Sequence, residues 1–127
     1  MLHRHRLFLI ACAGALFATL AFAHSTVKGT VPASGSTLAE SPPQVVIHFN
    51  EPARMVSVVV ARADVAERKL QFTPDGQAVS FTIASPQLAE GRNEIKWRAL
   101  SKDGHPIGGS IIIVVKPGAS LSGTKPL

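Results

Sequence analysis

Short apolar runs alternate with polar residues along most of the chain, with the two-residue period of β-strands. In the segment 93–99, for example, Ile95, Trp97 and Ala99 alternate with charged residues. Beyond residue 23 no helical period is sustained over three turns. The pattern predicts seven strands, at Thr26–Val31, Gln44–Asn50, Val56–Ala61, Lys69–Thr73, Ala78–Ile83, Arg92–Leu100 and Gly109–Val115.

Seven short strands, several of which have one apolar face, predict an all-β domain, a sandwich of two packed sheets around one core. Clusters of Pro, Gly, Ser and Asp between the strands are typical of turns. We expect Trp97 in the core and Met55 as a packing or loop residue. His48 falls on the polar face of its strand, so we expect it at the surface or beneath a loop.

The first 23 residues are typical of a secretory signal peptide. A basic start at residues 3–6 precedes an apolar run at residues 7–21, and Ala21-Phe22-Ala23 has the small-x-small pattern of a cleavage site. One alternative is a retained anchor, although the run is shorter than the roughly 20 residues of a membrane span. Another is a lipoprotein modified at Cys12. Cleavage after Ala23 fits best and predicts a location in a bacterial periplasm.

Cleavage would leave 104 of the 127 residues, which suit a single domain. We expect that domain at residues 24–116 and a flexible tail rich in Gly, Ser and Pro at residues 117–127. The only cysteine, Cys12, leaves with the leader, so no disulfide can form. Two of the 13 basic residues also leave, and the remaining 11 exceed the eight acidic residues by three. This weak, scattered charge does not favour a nucleic-acid partner.

Cleavage would also make His24 the N-terminal residue, whose α-amine and imidazole can chelate a metal together. A second candidate is Asp103-Gly104-His105. If this tripeptide is extended, its two polar side chains point to one side, and Gly104 leaves room for close approach. The mature chain has no thiolate and one methionine, and nitrogen and oxygen donors favour Cu(II) over Cu(I). The metal would then join the first strand to the loop before the last.

Each of these residues also has an ordinary structural interpretation. His24 is then a frayed terminal residue, Asp103 forms a turn with the glycine that follows it, and His105 is solvated. Glu51 either ends a strand before Pro52 or lies beside a metal, where it orients a ligand or a bound water.

Four segments occur in a particular order, at His24, Val31–Leu38, Pro42–Pro52 and Trp97–Gly109. Together they resemble the CopC family of periplasmic copper-binding proteins over nearly the whole mature domain. The resemblance implies a seven-stranded Greek-key β-sandwich, similar to immunoglobulin and cupredoxin folds. It also implies one Cu(II) per chain, with His24, Asp103 and His105 as ligands and Glu51 beside them.

The resemblance further implies a copper carrier or buffer in copper homeostasis or resistance, with no enzymatic activity and with a CopD-type inner-membrane partner. Residues 61–78 contain no methionine, so the chain resembles the branch that binds Cu(II) alone. Two other functions are considered. A small copper monooxygenase also uses an N-terminal histidine, but this chain has no Tyr and no aromatic run for binding a carbohydrate. A metal-independent immunoglobulin-like interaction module is compatible with the fold alone.

Overall fold

The computed structural model describes residues 26–119, which contain seven β-strands. The predicted leader and most of the predicted tail lie outside this range. No helix within residues 26–119 is long and apolar enough to cross a membrane. The strands are β1 (Val27–Val31), β2 (Ser36–Leu38), β3 (Gln44–Arg62), β4 (Val65–Lys69), β5 (Gln77–Ala84), β6 (Gly91–Leu100) and β7 (Pro106–Val115).

The long strand β3 belongs to both layers of the sandwich. Its first part pairs with β1 and β5, and its second part pairs with β4 and β6. The β5 register shifts between His48 and Ala53, where β3 passes from one layer to the other. Strand β6 pairs with β7, and β7 pairs with β2. The seven strands therefore form one sheet that curls on itself. The predicted all-β, seven-stranded sandwich is confirmed.

Four of the predicted strands have the wrong bounds, including the last, which begins at Pro106 and not at Gly109. The segments Gln44–Asn50 and Val56–Ala61 are parts of the single strand β3. The predicted strand Lys69–Thr73 lies earlier, as β4, because Arg62 pairs with Val65 across a two-residue turn. Asp64 takes a positive φ of 59° in this turn, a conformation that Asp tolerates. All five residues of β4 are exposed, so no apolar face marks the strand in the sequence.

Strand β2 was not predicted, because its three residues are too few to show a period. It pairs in parallel with the last residues of β7. Its position therefore depends on a strand that lies about 75 residues later in the chain, and that contact cannot be read from local pattern.

The core lies between the layers and uses the apolar faces that alternation predicts. Phe49 contacts Trp97 edge to face with ring centroids 5.2 Å apart, and it contacts Phe81 at 5.8 Å. Trp97 and Met55 are both buried, as expected. His48 is half-buried on the opposite face of β3, where its Nδ1 lies 2.7 Å from the Ser80 hydroxyl.

Candidate metal centre

A five-residue loop between β6 and β7 carries Asp103 and His105. The two strands pair as far as Leu100 and Pro106, and the loop begins directly after that pair. The Ser101 N–H donates to the His105 carbonyl at 2.8 Å, and the Gly104 N–H donates to the Ser101 carbonyl at 2.8 Å. The loop is therefore closed by backbone hydrogen bonds.

The loop is a turn, so Asp103-Gly104-His105 does not have the extended conformation in which the two polar side chains would point to one side. The bond from Gly104 to Ser101 closes a four-residue turn, and Gly104 has a φ of +80°. Only glycine adopts that conformation at low cost. No heavy atom lies within 4 Å of a Cβ built at Gly104. The positive φ shows that the glycine serves the backbone turn, and the space beside it is open.

Both candidate ligands of the loop, Asp103 and His105, are exposed. Neither side chain makes a hydrogen bond or an ion pair within the described part of the protein. Their carboxylate and imidazole groups are thus available to a metal without breaking an existing contact.

A cleft of about 450 Å³ lies next to this loop. Three parts of the chain bound it: the start of the described chain at Thr26, the bend of β3, and the beginning of the loop. Its lining residues are Thr26, Phe49, Asn50, Glu51, Pro52, Ala53, Ser101, Lys102 and Ile107. The cleft therefore brings Thr26, two residues after His24 in the sequence, together with Glu51 and Lys102.

The predicted site residues are placed as follows. Asp103 and His105 share the loop, and exposed Glu51 lies in the wall of the cleft. His24 lies outside the described residues. Within residues 26–119 no three His, Cys, Asp or Glu side chains are grouped closely enough to hold a metal. Glu51 therefore does not join Asp103 and His105 in such a group.

The donors that this part of the protein offers suit Cu(II). A carboxylate and an imidazole are the oxygen and nitrogen donors that Cu(II) accepts, whereas Cu(I) favours sulfur. Residues 26–119 contain no cysteine, and their single methionine, Met55, is only 5% exposed. His48 is not an alternative to His105, because it is half-buried in β3 and its Nδ1 already contacts Ser80.

Sequence reasoning missed one residue of this loop, Ser101. Besides its two backbone bonds, the Ser101 hydroxyl accepts a 3.1 Å hydrogen bond from the His105 N–H. The available signal was a serine directly after a predicted strand, two residues before Asp-Gly and four before a histidine. Serine in such a position commonly bonds to nearby backbone groups.

Comparisons with known proteins agree with this architecture. Residues 27–116 match the sequence model of the CopC domain. Copper resistance protein C of Pseudomonas syringae pv. tomato is 31% identical over 127 residues, which cover 91% of this chain and 99% of that protein. Copper transport protein CutJ of Bacillus subtilis (strain 168) is 30% identical over 95 residues. These cover 71% of this chain but only 18% of CutJ.

Two solved structures are also similar. The crystal structure of CopC from Methylosinus trichosporium OB3b has a TM-score of 0.59 and 28% identity, and the match covers 77% of this chain and 99% of that one. PcoC, a copper resistance protein from Escherichia coli, has a TM-score of 0.52 at 24% identity, with 71% and 98% covered. The second match supports the fold alone.

Proposed function

The chain belongs to the CopC family, and on that premise we propose that it binds one Cu(II) ion and acts as a periplasmic copper carrier or buffer in copper homeostasis or resistance. His24, Asp103 and His105 are the proposed ligands. The names of its relatives, a copper resistance protein and a copper transport protein, support copper as the metal.

One observation carries the assignment of the site. Thr26, Glu51 and Lys102 line the same cleft, so the chain two residues after His24 lies beside the loop that bears Asp103 and His105. A processed N-terminus at His24 would add an amine and an imidazole to the exposed carboxylate and imidazole of the loop. Such a set supplies the three or four nitrogen and oxygen donors that tetragonal Cu(II) prefers.

Titration of Cu(II) into the processed protein tests this function. Mass spectrometry first establishes that the chain begins at His24, and electron paramagnetic resonance then reports the ligands. We expect one equivalent bound with a nitrogen-rich tetragonal signal, which His105→Ala greatly weakens. His48→Gln is the matched control, because it changes a histidine of β3 whose ring contacts Ser80. Weak, substoichiometric binding by the unaltered protein would contradict the function.

We further propose that the partner is a CopD-type inner-membrane protein. The support is that a segment of CutJ, a copper transport protein, is similar to this chain, while the chain spans only about a fifth of CutJ's length. A domain of this kind therefore occurs within a larger transport protein. Co-purification of the copper-loaded chain with a co-expressed CopD-type protein is the expected result, and no retention with or without copper would refute the partner.

A further inference from the structure

The loop between β6 and β7 has the pattern of a three-residue hairpin loop, in which a glycine of positive φ follows a turn and one hydrogen bond of the closing residue pair is replaced. In an antiparallel ladder, alternate residue pairs exchange two N–H···O bonds. Ser101 and His105 follow the Leu100–Pro106 pair, and the Ser101 N–H makes the first of these bonds with the His105 carbonyl at 2.8 Å. The second bond would join the His105 N–H to the Ser101 carbonyl. That carbonyl instead accepts the Gly104 N–H, also at 2.8 Å.

The Ser101 side chain supplies the missing acceptor. Its hydroxyl oxygen lies 3.1 Å from the His105 nitrogen and accepts the N–H that the turn has left without its carbonyl. The backbone of His105 is therefore held at both its N–H and its C=O by the same residue. Serine achieves this because its hydroxyl reaches the nearby backbone, as is common for serine in turns.

We propose that Ser101 is a positioning residue for copper: its hydroxyl holds the backbone of His105 in the conformation from which the imidazole binds Cu(II). This inference rests on the proposed function, in which His105 is a ligand. A ligand on a loose loop loses conformational freedom when it binds, and that loss reduces affinity. A loop ordered before binding avoids part of this cost, since supporting hydrogen bonds hold the ligand near its bound geometry.

The loop is exposed, so water can replace the hydroxyl as a partner of the His105 N–H. Removing the hydroxyl should therefore loosen the loop without unfolding the domain. From the net value of one such hydrogen bond, Ser101→Ala is expected to weaken Cu(II) binding about three- to tenfold. Ser101→Thr keeps the hydroxyl and should bind within about twofold of the unaltered protein.

The matched control is Ser34→Ala. Ser34 is exposed, whereas Ser101 is half-buried, but each serine hydroxyl accepts one backbone N–H; that of Ser34 accepts the Ile112 N–H of β7 at 2.9 Å. It lies beside the middle of β7, away from the loop. Its removal should lower stability as much as Ser101→Ala does and leave the Cu(II) affinity unchanged.

The experiment combines two readouts on the processed protein. Competition titration with a chelator of known affinity measures Cu(II) binding, and amide hydrogen exchange of the metal-free protein measures protection of the His105 N–H. We expect faster exchange at His105 and weaker binding only in Ser101→Ala. Unchanged affinity in Ser101→Ala, or an equal loss in Ser34→Ala, would overturn the positioning role while His105→Ala could still uphold copper binding. Failure of the unaltered protein to bind Cu(II) would instead refute the proposed function, and the positioning role with it.

Discussion

The backbone N–H of Asn50 donates a 2.9 Å hydrogen bond to the carbonyl of Thr26, and this bond ties the start of the described chain to the bend of β3. Thr26 is two residues after His24, and two extended residues span about 7 Å. If His24 is a ligand, its backbone therefore lies close to the cleft that Thr26, Glu51 and Lys102 line. The position of the proposed site therefore follows from the short distance along the chain between His24 and Thr26.

The exposed carboxylate of Glu51 provides a test of whether the cleft wall supports the site. If Glu51 orients a ligand or a bound water, Glu51→Gln should weaken Cu(II) binding by roughly 10- to 100-fold, the usual effect of losing such a partner. Glu40→Gln is the control, because Glu40 is also exposed and lies outside the cleft. If the two variants have equal affinities in a competition titration, Glu51 does not support the metal site and serves only as a residue of β3.

Copper affinity should fall as the pH falls. Amines and imidazoles bind metals only when they are deprotonated, so protons compete with copper. In model peptides an α-amine has a pKa of about 7.8 and an imidazole a pKa of about 6.5. We therefore expect affinity to decrease steeply below about pH 6, in titrations at pH 7.5, 6.5 and 5.5. Circular dichroism at each pH checks that the fold persists, and a flat affinity profile would exclude amine and imidazole ligands.

The strands that have one buried face could be predicted from sequence. Ile95 and Trp97 in β6, and Phe81 and Ile83 in β5, alternate with more exposed residues because each strand buries one side only. Strand β4 has no buried face, and β2 pairs with β7, which is distant in the sequence. Neither strand could therefore be placed correctly from the alternation of apolar and polar residues.

The candidate site could be predicted in part. Asp103 and His105 were identified from their chemistry and from a family resemblance, and the structure places both in one exposed loop. The turn geometry was missed, because it depends on the positive φ of Gly104 and on the bonds made by Ser101. The roles of His24, Asp103 and His105 as copper ligands remain predictions.

Gly109 of β7 is required by the packing of Trp97. A Cβ built on Gly109 would lie 2.7 Å from Trp97 Cζ2 and 2.9 Å from Cε2, closer than side chains approach each other. Because Trp97 is held in the core against Phe49, its ring cannot move away freely. Gly109→Ala should lower the free energy of unfolding by about 1–3 kcal/mol, as overpacking does.

Chemical denaturation measures that loss, and Gly29→Ala in β1 is its control. No heavy atom lies within 4 Å of a Cβ at Gly29, and its φ is not positive. The control should therefore cost little or nothing. If Gly109→Ala is as stable as the unaltered protein, the Trp97 ring can move away from the added methyl group at little cost, and the prediction is contradicted.

We propose above all that a processed N-terminus at His24 is part of the copper site. The most direct measurement compares Cu(II) binding by the chain that begins at His24 with binding by the same chain acetylated at that α-amine. The acetyl group converts the α-amine into an amide, which removes the amine donor and keeps every side chain. We predict that affinity falls by more than the roughly 10- to 100-fold that loss of an outer partner of a metal ligand costs. Equal affinity for the two chains, with both folded, would contradict the claim.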